Sequence, residues 1–258
     1  MDVLDLDVWG ICALLAVALA AGWLDAVVGG GGLIQIPALL FALPGASVAT
    51  VLGTNKLVAI TGTSSAAVAY SRKVPVDWRP VAAAGLAGIP ASVAGALTAS
   101  HLPQNVFRPA VMAVLVLAAA WVAWPGRSCA PKDPHTHRSC VPLNCLLGAV
   151  VGFYSGVLGS GTGVLLVMAF VSLLGSDFLR GSAMAKVVSV GTDLGALALF
   201  AALGHVLWTL GAGMAVANVA GGTLGARTAL RRGSAFVRVA LLCVVLALVA
   251  KLAHDTWV

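Results

Sequence analysis

The sequence predicts an all-α, polytopic membrane protein built from two inverted repeats of about five helical segments each. Three observations carry this. The 258 residues are 60% hydrophobic and 9% charged, far from the roughly 45–50% apolar and about 25% charged composition of soluble domains. Apolar stretches as long as the roughly 20 residues one spanning helix needs recur along almost the whole chain. The third is self-similarity: shifted by 130 residues without gaps, the chain matches itself at residues too scarce here for chance. Lys56 falls on Lys186, Trp78 on Trp208 and Arg108 on Arg238, alongside Gly22, Val27, Gly29 and Gly31 on Gly152, Val157, Gly159 and Gly161. A single transmembrane domain, 1–258, is expected, with repeat one at 1–124, a linker at 125–144 and repeat two at 145–258.

The elements follow in order. The first segment, 9–28, comes after an acidic start, MDVLDLDVWG, which lacks the basic region of a cleavable signal peptide and is read as retained. The next, 33–43, has 11 residues; at 1.5 Å per residue it reaches about half of a hydrocarbon core about 30 Å thick. Segments 47–70, 79–100 and 107–124 complete the first set. The second set is 145–158, the short 163–174, then 177–202, 208–230 and 237–254. Each repeat therefore contains a half-helix or re-entrant piece. Trp9, Trp78, Trp208 and Trp257 fit an aromatic belt, and His101 and His205 fall at segment ends.

Loop charges set the orientation. Arg72, Lys73 and Arg79, then Arg127, Lys132 and Arg138, then Arg231, Arg232 and Arg238 mark three basic loops. Placing these in the cytoplasm, the 125–144 linker included, puts both termini outside. Loops 71–80 and 203–207, which correspond under the shift, then lie on opposite faces, as an inverted repeat requires. The net charge of +6 is explained by topology and implies no nucleic-acid partner. Cys12 and Cys243 lie in apolar stretches and read as small packing residues. Cys129, Cys140 and Cys145, with His135 and His137, share the linker region, where their spacing fits no tight structural zinc pattern and a Pro-rich linker is expected.

Four consecutive glycines, Gly29, Gly30, Gly31 and Gly32, precede the short segment that begins near Leu33. Unwound backbone at membrane depth is tolerated where protein buries it or a polar cavity receives it. Free N–H groups at a helix N-terminus, where the dipole is positive, form a ready anion site. The second repeat carries VLGSGTGVLL, with Gly159, Ser160, Gly161 and Thr162. Two breaks at matching positions point to a transporter's binding site; the competing reading is that the glycines allow close helix packing.

Lys56 and Lys186 each lie about ten residues into a long apolar segment. An ammonium at that depth faces a cavity or a partner, or snorkels to an interface. Two lysines facing the two breaks would attract a small oxygenated anion, with Asn55 and the hydroxyls of Thr54, Thr61, Thr63, Ser64 and Ser65 adding hydrogen bonds. Asp25 and Asp193 are candidates for coupling to a cation, or for pairing with a lysine. Neither has a carboxylate counterpart in the other repeat, which carries Ser155 and Thr63 at those positions.

At these residues the chain resembles the TauE/SafE family of sulfite exporters, also called TSUP. The resemblance rests on GGGGLIQIP (Gly29 to Pro37), on GTNKLVAITGTSSAAVAYSRKVPVDW (Gly53 to Trp78) and on the weaker second copy GVLGSGTGVLLVMAF (Gly156 to Phe170). It covers essentially the whole chain, although Val167 stands where the first repeat has its proline. The resemblance implies a bacterial or archaeal inner-membrane permease for sulfur-containing anions such as sulfite, sulfoacetate, thiosulfate or other organosulfonates. It does not fix the anion, and the oligomeric state, a homodimer included, stays open.

The leading expectation is thus a secondary carrier with no cofactor and no enzymatic activity. No Gly-x-x-x-x-Gly-Lys-Ser/Thr motif is present to bind ATP. The alternatives are an intramembrane enzyme acting on a sulfur compound and a passive anion channel. Against the enzyme, the apolar segments hold no His/Asp pair and no His-Glu-x-x-His pattern.

Overall fold

The computed structural model describes residues 7–101, 141–159 and 161–257. These form eight helices and no strand: α1 (Val8–Val28), α2 (Gly32–Ala42), α3 (Val48–Ser71), α4 (Trp78–His101), α5 (Val141–Leu158), α6 (Thr162–Leu174), α7 (Phe178–Ala202) and α8 (Trp208–Trp257). Within α8, Gly233 leaves helical geometry at φ 75° and ψ −173°, which separates the two segments expected at 208–230 and 237–254. The expected 107–124 segment, most of the linker, and with them Arg108, Arg127, Lys132, Arg138, Cys129, His135, His137 and Cys140 lie outside the described residues, as does Ser160. Four helices, α1, α4, α5 and α7, are long and apolar enough to cross a membrane, while α2 and the apolar part of α6 are shorter. The protein is an all-α, multi-pass membrane protein.

Local chemistry explains the boundaries. Ser47 caps α3 by accepting the Thr50 N–H at 3.1 Å, and Asp177 caps α7 by accepting the Arg180 N–H at 2.7 Å. These caps fall 130 residues apart, so the third helix of each set starts in the same way. Helix α1 ends at Gly29, whose φ of 91° lets its N–H turn back onto the Asp25 carbonyl at 2.7 Å, the left-handed termination that favours glycine.

The main packing runs between the two sets. Helix α1 lies along α8 and α5 lies along α4; α3 packs on α8, α7 packs on α4, and α3 meets α7. Small residues let these backbones approach closely: a methyl added to Gly152 would sit 2.7 Å from the Gly88 Cα, and one added to Gly156 would sit 2.6 Å from the Ala96 nitrogen. In a bilayer, where burial of oil against oil gives little driving force, such close contact is a principal source of association. The outward surface carries Trp9, Trp78 and Trp208, all exposed. Cys12 and Cys243 are exposed too. They are surface residues rather than the packing residues expected, because apolarity of the surrounding segment says nothing about which face of a membrane helix looks outward.

Candidate functional site

The two breaks meet. A methyl on Gly29 would stand 2.5 Å from the Cα and carbonyl carbon of Gly163, so the backbone of the first glycine break lies directly against that of the second. In the second break Gly159 and Gly161 take φ values of 68° and 75°, and Gly31 and Gly161 are the N-caps of the short helices α2 and α6. Among the described residues, no backbone carbonyl receives the N–H groups of Gly30, Gly31, Gly32 or Thr162. Two positive helix ends thus converge on one place.

A small, partly open cavity of about 30 Å³ lies there, room for a water or two. Its walls include Gly29, Gly31, Gly32, Ala59 and Thr63, and also Gly159, Gly161, Thr162, Ser189 and Asp193. These two sets are related residue by residue by the 130-residue shift. Asp25, Gln35, Asn218, Ala21 and Gly163 complete the lining. Three buried polar atoms on these walls have no hydrogen-bond partner: Gln35 Nε2, Thr162 Oγ1 and Ser189 Oγ. Buried polar groups are almost always satisfied, which sets these three atoms of one cavity wall apart from the rest of the interior. The Gln35 oxygen is taken, at 3.4 Å, by Asn218 Nδ2, which also donates to the Ala18 carbonyl at 2.8 Å.

Both lysines are buried, each 1% exposed, and neither snorkels. Neither is free either. Lys56 Nζ donates to Asp193 Oδ1 at 2.5 Å and to Ser155 Oγ at 2.8 Å. Lys186 Nζ donates to Asp25 Oδ2 at 2.7 Å, and Thr63 Oγ1 donates to the same oxygen at 3.0 Å. Of the two readings of the lysines, charges facing the breaks or pairs with Asp25 and Asp193, the structure shows the pairs: each ammonium meets a carboxylate distant in sequence. A buried ammonium without a counter-charge is too costly to keep. The carboxylates, not the lysines, are among the residues lining the cavity.

The remaining sequence candidates divide. Gly29, Gly31, Gly32, Gly159, Gly161 and Thr162 line the cavity, as do Asp25 and Asp193, whereas Gly30 is buried beside it. Asn55 is fully buried with both amide atoms unpartnered, but it is not among the lining residues. Sequence reasoning missed Gln35, Ser189 and Asn218. An amide in the middle of an apolar helix, as in GLIQIPALL or AVANVAGG, is itself a signal that could have found two of them.

Two helix N-termini and three unpartnered polar side-chain atoms border this cavity, and the paired side chains bring it no net charge. A family model described as "Sulfite exporter TauE/SafE" matches residues 14–252. Among curated proteins, the chain is 33% identical over 251 residues to "Probable membrane transporter protein ORF9" of Sinorhizobium sp, covering 97% of this chain and 95% of that one. It is 31% identical over 252 residues to a "Probable membrane transporter protein" of Haemophilus influenzae, covering 98% of each. It is also 32% identical over 246 residues to "Probable membrane transporter protein YfcA" of Escherichia coli K12, covering 94% of this chain and 89% of that one. No solved structure matches. With a family model spanning nearly its whole length and relatives matched almost end to end, the chain belongs to the TauE/SafE sulfite exporter family.

Proposed function

We propose that this membrane permease is a secondary carrier of small sulfur-containing anions, sulfite, sulfoacetate, thiosulfate or other organosulfonates, and that the anion sits in the cavity between the two glycine breaks. The observation that carries the reading is the convergence of two half-helix N-termini on a cavity whose walls hold orphaned donors. Each N-terminus carries roughly half a positive charge, and an oxyanion brings several acceptor oxygens but no donors. Gly30, Gly31, Gly32, Gly159, Gly161 and Thr162 supply backbone or hydroxyl donors, Gln35 and Ser189 add side-chain donors, and Gly29, whose N–H is held by the Asp25 carbonyl, shapes the wall. Ser160, between Gly159 and Gly161 in the sequence, belongs to the same proposed site although it is outside the described residues. Lys56 and Lys186 act through their carboxylate partners, holding Asp193 and Asp25 at the cavity wall as neutral pairs, and Asn55 stands next to Lys56 on α3.

The matched lining supports alternating access. Five wall positions of one repeat face five equivalents of the other, and each helix pairing has a counterpart under the same shift: α1 on α8 with α5 on α4, and α3 on α8 with α7 on α4. A two-fold relation between oppositely oriented repeats, with a site at their junction, lets one set rock against the other about a fixed anion. We place the protein in the inner membrane of a prokaryote with the linker in the cytoplasm and both termini outside. Asp25 and Asp193 are the candidates for coupling to a cation gradient.

The deciding experiment is counterflow. Purified protein in liposomes preloaded with unlabelled sulfite is expected to accumulate labelled sulfite transiently. Conductive flux without stimulation by trans sulfite would make the protein a channel. Chemical turnover of sulfite by detergent-purified protein, with no barrier to cross, would make it an enzyme.

A further inference from the structure

The two lysine clusters are the same device with two of its parts exchanged. In one, Asp25 Oδ2 receives both Lys186 Nζ, at 2.7 Å, and Thr63 Oγ1, at 3.0 Å. In the other, Asp193 Oδ1 receives both Lys56 Nζ, at 2.5 Å, and Ser155 Oγ, at 3.4 Å. In each, one carboxylate oxygen takes an ammonium and a hydroxyl together; in the second the ammonium also donates to the hydroxyl, Lys56 Nζ to Ser155 Oγ at 2.8 Å, whereas in the first Lys186 and Thr63 meet through the Asp25 oxygen. The 130-residue shift carries lysine onto lysine but carboxylate onto hydroxyl: position 25 corresponds to 155, and 63 to 193. One cluster therefore draws its carboxylate from α1 and its hydroxyl from α3, while the other draws its hydroxyl from α5 and its carboxylate from α7.

We propose that the clusters are two equivalent triads in which each buried lysine requires one carboxylate at either of two facing positions, with Thr63 and Ser155 as positioning residues that hold the carboxylate oxygen against the ammonium. Charge balance explains the rule. With no carboxylate the ammonium is stranded, and with two a negative charge is stranded; both are costly around an ammonium that is only 1% exposed. One carboxylate and one hydroxyl satisfy the ammonium whichever side carries which, because the two groups are already in hydrogen-bond contact. Converting one triad to the other's arrangement moves a carboxylate across a 3.0 Å hydrogen bond and changes no net charge.

The test is reciprocal exchange. Asp25→Ser and Thr63→Asp, each alone, are expected to lower the Tm of the detergent-purified protein by roughly 6–20 °C, the shift that a stranded buried charge produces in a chain of this size. Each alone is also expected to reduce labelled-sulfite uptake in proteoliposomes at least tenfold. The double variant Asp25→Ser/Thr63→Asp is expected to recover wild-type Tm and to exceed both single variants in uptake. Ser155→Asp with Asp193→Thr performs the same exchange in the other triad, so a folding failure confined to one site does not decide the matter.

If neither double variant exceeds its worse single variant in Tm, the triads are not equivalent. Recovery of Tm without uptake would also overturn the proposal, since it would tie the carboxylate's role to its original position. The transport arm rests on the permease reading above. If the wild type carries no sulfite, that reading fails, and recovery of Tm in the doubles alone decides the equivalence.

Discussion

Removing one member of a buried ion pair and removing both have opposite consequences, and Lys56 with Asp193 is the place to measure it. The side chains are 1% and 10% exposed and meet at 2.5 Å. Asp193→Ala leaves the Lys56 ammonium with Ser155 as its remaining neighbour and no counter-charge. Breaking a buried pair in this way costs about 3–5 kcal/mol, whereas replacing the whole pair by apolar residues of similar volume is often neutral or stabilising. Asp193→Ala is therefore expected to lose about 3–5 kcal/mol, and Lys56→Met/Asp193→Leu to lie within about 1 kcal/mol of wild type or above it. The second pair supplies an internal scale. Lys186 is as buried as Lys56, so Asp25→Ala is expected to match Asp193→Ala. Asp25 keeps 21% exposure, so stranding it by Lys186→Ala is expected to hurt less than stranding Asp193 by Lys56→Ala. The assay is thermal unfolding of detergent-purified variants, with labelled-sulfite uptake measured alongside. The apolar double is expected to be folded and inactive. Equal stability of Asp193→Ala and wild type would refute the buried-charge reasoning, and full uptake by the apolar double would remove the pair from the transport mechanism.

Three further outcomes follow from the same geometry. Gly29→Ala and Gly204→Ala both force alanine to a positive φ, 91° and 75°, which costs roughly 1–2 kcal/mol; Gly204 has nothing within 4 Å of an added methyl, while Gly29 has the Gly163 backbone at 2.5 Å. Gly29→Ala should thus be clearly the less stable by Tm, and equality would mean that the breaks do not touch. Ser189→Ala removes an orphaned buried hydroxyl, so thermal stability should hold or rise, while KM for sulfite should increase by up to about tenfold, the worth of one hydrogen bond of about 1–1.5 kcal/mol; an unchanged KM would take Ser189 out of the site. Arg180→Ala breaks the pair with Asp77, at 2.8 Å, whose side chains are 37% and 48% exposed. Screening by solvent leaves such a pair worth about 1 kcal/mol or less, so a Tm change as large as that of Asp193→Ala would show that Asp77 and Arg180 are locked together rather than loosely paired.

Much of this was legible in the linear sequence, and the part that was not has a common physical cause. The segment expected at 47–70 is the helix Val48–Ser71, and the one expected at 177–202 is Phe178–Ala202. Apolar runs, capping residues and glycine breaks act within a few residues of themselves, so one strand of text contains them. The half-length of α2 and α6 was readable for the same reason. Partner choice was not: Lys56 finds its carboxylate 137 residues away and Lys186 finds its own 161 residues away, across the junction between the repeats. From spacing alone Asp25 and Asp193 had no carboxylate counterparts, and coupling to a cation and pairing with a lysine were both open, with nothing to say which lysine. Superposing the repeats, by contrast, makes the missing counterparts informative, because Ser155 and Thr63 occupy those positions and each completes the opposite lysine's cluster. Gln35 escaped because no equivalent marks it: the shift lands on Leu165. Such unmatched polar residues on a cavity with otherwise paired walls are where the site departs from its own symmetry.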